Sequence, residues 1–205
     1  GSKTDTAGMT PATTTKVEEK ILDMGDVKAQ LDAIDAKFRP EFQRIGPRWN
    51  ALATAWKEKG GLAIDPADRN YLAEFAAHRA QSGKLMSQFT KTFGGTALTP
   101  QEAERIEVWS PKVGTGLFDG DSPTEFKTKI DSFTDFANRT IAKYNHIRKR
   151  GLAVDAVDVD QMPSIIQKRG DELMLDASRR GLRGPEAMGE VEAALGMEFG
   201  LGRGS

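Results

Sequence analysis

The chain has 205 residues, with 29 Lys and Arg against 30 Asp and Glu, two His and no Cys, for a net charge of −1. That balance argues against a dedicated nucleic-acid binder, which carries a basic excess. The missing Cys excludes disulfides, thiolate metal sites and a thiol nucleophile. No apolar run approaches the roughly 18 residues of a membrane-crossing helix, and Gly1-Ser2-Lys3 opens no signal-peptide core, so a cytoplasmic chain is expected unless it is carried in a larger particle. The start without Met reads as a processing product, a fragment or a cloning scar.

Residues 1–15 are Thr-rich, punctuated by Gly and Pro, and read as a flexible N-terminal arm. Residues 16–195 read as a helical region, and 196–205, with Gly at 196, 200, 202 and 204, as a Gly-rich C-terminal tail. Val27, Leu31, Ile34 and Phe38 recur at helical spacing until Pro40. Trp49, Leu52, Ala53 and Trp56 form a second face after Gly46-Pro47, ending near Lys59-Gly60. Asp65-Pro66 is an N-cap followed by Pro at the first helical position. It opens a long helix, about 66–93, whose stripe runs from Tyr71 through Phe75, His78, Ser82 and Leu85 to Phe89 and Phe93. The stripe turns polar at His78 and Ser82 beside Gly83, which predicts a bend or a polar layer.

Thr99-Pro100-Gln101-Glu102 is a capping box for a short helix to about Trp109. A Gly/Pro loop follows, from Ser110-Pro111 to Asp121. Ser122-Pro123-Thr124-Glu125 repeats the start device and opens the strongest helical pattern, 123–150. That helix ends in Arg148-Lys149-Arg150-Gly151-Leu152, where cations suit the dipole and Gly with a following apolar residue suits a Schellman cap. Lys59-Gly60-Gly61-Leu62 and Arg179-Arg180-Gly181-Leu182 resemble this terminator, which reads as one helix stop used repeatedly. Residues 159–168, 171–180 and 185–195 read as three short helices, and the alternation over 155–160 as a short strand without a partner. The fold class is therefore all-α: a multi-helix bundle or an extended helical assembly subunit with irregular tails.

Nucleophilic catalysis would need a base beside a nucleophile, and only His78 and His146 offer an imidazole. His78 lies on an apolar stripe and reads as packed; His146 reads as a surface residue beside a basic helix end. Asp119-Gly120-Asp121-Ser122 and the Asp155, Asp158, Asp160 set lack calcium-loop spacing. No catalytic, cofactor-binding or metal-binding residue is assigned, and no cofactor is expected. Glu102, Glu104 and Glu107 share one short helix and are the candidates for acid–base work on a glycoside. Trp49, Trp56, Phe89, Phe93 and Trp109 are the candidate interface anchors. Arg148, Lys149, Arg150, Arg179, Arg180 and Arg183 are candidate phosphate contacts, with helix-dipole complementarity as the competing role.

The stretch from Gly94 to Phe133, GGTALTPQEAERIEVWSPKVGTGLFDGDSPTEFKTKIDSF, resembles a module near the C-terminal ends of virion-associated proteins of tailed bacteriophages. The matching residues are Gly95, Leu98, Thr99, Glu102, Arg105, Pro111, Asp121, Ser122, Pro123, Phe126 and Lys129, and the loop over 114–120 is longer than the pattern. The resemblance covers about a fifth of the chain and transfers no catalytic residue. It implies a non-enzymatic structural subunit of a phage particle, internal or associated with DNA ejection, located in the virion. Its expected partners are copies of itself or other virion proteins, with nucleic acid as a weaker possibility and no membrane span. The alternatives are a peptidoglycan-cleaving enzyme or its accessory domain, and a bacterial helical adaptor.

Overall fold

The computed structural model describes residues 9–94 and 100–202, leaving aside the side chains of 61 and 88–103. The described residues are α-helical with short 3₁₀ turns and no strand, so the all-α expectation holds. The helices are α1 (Pro11–Ala36), α2 (Pro40–Ile45), α3 (Trp49–Lys59), α4 (Pro66–Gly94), α5 (Pro100–Trp109), α6 (Pro123–Arg150), α7 (Met162–Arg179) and α8 (Gly184–Phe199). The described residues pack as two compact units: those within 29–134 form one, and 9–28 together with 135–202 form the other.

Several boundaries differ from expectation. α1 begins at Pro11, inside the segment read as an arm, because Thr10 Oγ1 accepts from the Thr13 amide and caps it. Its buried residues Val17, Met24, Val27, Leu31 and Ile34 extend the same apolar stripe two turns and more toward the N-terminus. Pro40 both ends α1 and opens α2 as an early helical residue. The two short helices expected over 159–180 are one, α7, which runs through Gly170, and Leu195 of α8 packs beside that glycine. The alternating stretch near 158 forms a 3₁₀ turn rather than a strand, because Asp158 and Gln161 make a capping box around it. α8 runs to Phe199, inside the expected tail.

The recurrent terminator holds at two of its three predicted copies, Gly151 and Gly181, and also at Gly200, which the pattern did not name. Gly151, Gly181 and Gly200 all have positive φ, at 63°, 87° and 70°. In each case the next residue donates back across the Schellman ring: Leu152 to Ile147, Leu182 to Ala177 and Leu201 to Gly196. Gly60 stops α3 differently: its own amide bonds to the Trp56 carbonyl, and a 3₁₀ turn over Gly61–Ala63 follows.

The 29–134 unit has an aromatic core. Phe38 stacks on Phe126 at 6.1 Å, and Phe42, Phe75 and Trp49 meet these rings edge-on or each other at 5.4–5.8 Å. The polar layer expected on α4 exists: His78, Arg79 and Ser82 are all buried. Gly83 beside them admits the loop, since a Cβ there would lie 1.8 Å from Val113 Cγ2. His78 packs edge-on against Phe126 at 5.5 Å and Phe38 at 5.9 Å, and its Nε2 has no hydrogen-bond partner. Burial, and then the charge of Lys37, hold its pKa below the ordinary value, against a smaller opposing pull from Asp35.

In the other unit α7 and α8 form an antiparallel hairpin joined at Arg180–Arg183. Ala142, Val157, Met162 and Phe199 make its core, with Leu152, Ile165, Ile166, Leu195 and Leu201 packed around them.

The depressed His78 pKa fixes the sign of a pH dependence. The fold favours the neutral imidazole, so the unfolded chain takes up the proton first as pH falls through about 6.5. Stability therefore declines below that pH, by at most about 1.4 kcal/mol per pH unit for this group, until the folded-state pKa is reached. Urea unfolding between about pH 7.5 and 5 should show the decline, and His78→Phe should make it shallower. An unchanged slope in the variant would assign the effect elsewhere.

Candidate functional site

Arg79 organises the surface of the 29–134 unit. It stands on α4 with only 1 % of its surface exposed, and no carboxylate among the described residues pairs with its guanidinium directly. Instead Nη1 donates to the Asp121 carbonyl at 2.7 Å, and Nη2 to the carbonyls of Gly116 at 2.9 Å and Leu117 at 3.2 Å. The cation also lies 5.5 Å from the Phe75 ring centroid and 5.9 Å from that of Trp49. Burial lowers its pKa, with Asp119 and then Asp121 pulling back.

The loop that Arg79 holds is tied internally as well. Asp119 accepts from the amides of Thr115 and Gly116 at 2.8 and 2.6 Å and from the Thr115 hydroxyl at 2.7 Å. The Thr115 hydroxyl, then the Gly116 and Thr115 amides, hold the Asp119 carboxyl down to about 2. The Asp121 carboxylate accepts from the Lys112 amide and pairs with Lys129 at 2.9 Å. The Asp121 amide donates to the Lys112 carbonyl, and Gly120 allows this crossing, because a Cβ there would meet the Lys112 and Val113 carbonyl oxygens at 2.5 Å. Ser122 and Glu125 close the expected capping box at the start of α6.

The outcome is a fixed loop that presents Phe118. Its ring lies 4.9 Å from buried Trp49 and 6.2 Å from Trp56, which is 38 % exposed. Trp56 and the half-buried Phe118 therefore form an accessible aromatic patch on a rigid base. Phe118 escaped the sequence reading because it stands in a Gly-rich loop without periodicity. Of the other predicted anchors, Trp109 is half-buried at the end of α5, and the Phe89 and Phe93 side chains lie outside the described residues. Glu104 and Glu107 are exposed on α5; the Thr99–Glu102 capping box and the Glu102 side chain lie outside the described residues.

The predicted phosphate contacts separate into two places within the 135–202 region. At the C-terminal end of α6, Arg148 donates to Asn145 and Lys149 pairs with Glu198 at 3.5 Å, while Arg150 is exposed. Glu198 is buried and accepts from Arg169 at 2.9 Å. Burial alone would raise its carboxyl, but Arg169 and Lys149 outweigh that and hold it below the ordinary range. His146 is not the surface residue expected: it stacks on Phe199 at 5.8 Å, and burial followed by the Arg150 charge lowers its pKa. Arg179, Arg180 and Arg183 lie instead at the α7–α8 turn, where Arg180 is engaged by Glu190 and Asp176. The six cations therefore do not form one patch, and at least three have structural partners.

Comparison with known proteins finds no matching family model, no matching curated protein and no matching solved structure. No helix among the described residues is long and apolar enough to cross a membrane.

Lysine has one cationic centre and cannot span three carbonyl groups as the guanidinium fork does. Arg79→Lys should destabilise the protein by on the order of 2–3 kcal/mol and alter the fluorescence of Trp49 and Trp56 before global unfolding. Denaturant titration followed by tryptophan emission reads both, and a wild-type midpoint with unchanged emission would contradict the role given to Arg79.

Proposed function

We propose that this chain is a non-enzymatic structural subunit of a phage particle, an internal or DNA-ejection-associated protein that contacts neighbouring protein chains. The observation that carries the reading is the Arg79-held loop, which belongs to the stretch resembling the phage module and fixes Phe118 against Trp49 and Trp56. Rigid aromatic side chains lose little conformational freedom on association and are the usual anchors of protein interfaces. A loop tied by Arg79, Asp119 and Asp121 meets that requirement. Leu62 and Val108, both strongly exposed, add apolar surface in the same unit.

Light scattering over a concentration series tests the reading. A mass several times 22.4 kDa is expected, with Trp56→Ala and Phe118→Ala each weakening association at least about ten-fold. A compact monomer at high concentration, with no binding to particles, would overturn it.

A further inference from the structure

The α7–α8 hairpin and the first part of α6's C-terminal half enclose a groove of about 530 Å³. Its apolar lining includes Ile166, Met174, Met188, Val191, Leu195 and Leu201. Met188 is 52 % exposed, and neighbouring Leu175 on α7 is exposed as well, so the apolar surface is open to solvent. The volume suits a few large apolar side chains.

The charges around the groove select among occupants. Asp135, Asp171 and Glu192 line it, against a single cation, Arg139. Arg139 is consumed by Asp135, to which it pairs at 2.7 Å. Asp171 accepts only the neutral Gln167 amide at 3.0 Å, and neither it nor Glu192 has a cation partner among the described residues. The two carboxylates stand on opposite walls, Asp171 on α7 and Glu192 on α8, and both are exposed. An uncompensated carboxylate on each side of an apolar floor favours an occupant with cations along both flanks. Asn138 on α6 adds a related feature: its side-chain oxygen is buried at the groove and accepts no hydrogen bond.

We propose that this groove receives an amphipathic helix of another protein, with apolar residues on the entering face and Lys or Arg on its flanks. Helix-in-groove docking uses anchors at helical spacing, and the apolar residues of this groove lie at such spacing on α8, at Met188, Val191 and Leu195. Methionines adapt their shape to the side chains they meet, and Met174 and Met188 supply that adaptability. The proposal rests on the reading of the chain as a protein that engages other proteins, but uses none of the residues of the Trp56–Phe118 patch. Its failure would leave the light-scattering outcome at that patch untouched.

The test uses the full chain with labelled methionine methyl groups and two synthetic amphipathic helices, one of Leu and Lys and one of Leu and Glu in the same pattern. The Leu/Lys helix should shift the Met174 and Met188 methyl resonances saturably, with the buried Met86 methyl stationary. The Leu/Glu helix should bind at least about ten-fold more weakly. Asp171→Lys combined with Glu192→Lys, two exposed positions, should reverse that preference, with the Met86 resonance reporting an intact fold. Equal response to both helices, response to neither, or no reversal in the variant would overturn the proposal. Shifts at Met174 and Met188 on concentrating the protein alone would assign the groove to a second copy and overturn it equally.

Discussion

A buried guanidinium held by loop carbonyls sets the terms for the 29–134 unit. Burying Arg79 is costly unless its donors are satisfied, and the carbonyls of Gly116, Leu117 and Asp121 satisfy three of them. Those carbonyls belong to a segment with no regular structure, which Arg79 holds to α4 while Asp119 and Asp121 tie it internally. Core and loop meet at Arg79, whose guanidinium lies against the Phe75 and Trp49 rings while its donors reach the loop carbonyls. The Nε of Arg79, buried and unpartnered, shows that the arrangement favours the loop over complete satisfaction of the side chain.

Asp121 extends this junction into α6. Its carbonyl takes the Arg79 proton donor, its carboxylate takes the Lys112 amide and the Lys129 ammonium, and its amide closes on Lys112. One residue thus joins α4, the loop and the first turns of α6. The next residue, Ser122, opens the capping box of that helix. Helix start and loop closure are therefore a single event, which explains why a Gly-rich segment between two helices can hold an aromatic ring in a fixed place.

What the sequence made legible follows the physics of local signals. Helix starts written as Asp65-Pro66 or Ser122-Pro123-Thr124-Glu125, and stops written as Gly151-Leu152, are decided by neighbours within one turn, so the structure shows them where the pattern predicts. The merger of two expected helices into α7, which runs through Gly170 without a break, carries no cap or stop signal that the pattern could read. The same limit hid the centre of the site. Arg79 carries no signal in a periodicity that counts apolar residues, and Phe118 belongs to no periodic pattern. His146 reads as exposed because Arg148, Lys149 and Arg150 follow it, yet Phe199, more than fifty positions away, covers it. The carboxylate partners within the two basic clusters were hidden for a related reason: Lys149 and Arg180 pair with Glu198 and Glu190, contributed by α8.

The two proposed surfaces would differ in how strictly they specify a partner. The Trp56–Phe118 patch is backed by a loop whose hydrogen bonds leave little freedom, so a neighbour must match its shape; rigid complementarity of that kind suits a repeated contact between identical surfaces. The α6–α7–α8 groove is lined by methionines, whose unbranched side chains repack around different apolar faces. Its specificity must then come from charge, and Asp171 and Glu192 are the groups left to supply it. Under the proposed readings, one shape-selective and one charge-selective surface would let the chain hold a fixed place in an assembly while accepting helices of varied sequence. Substitutions at Phe118 should therefore act on assembly geometry, and substitutions at Asp171 on which helices are accepted.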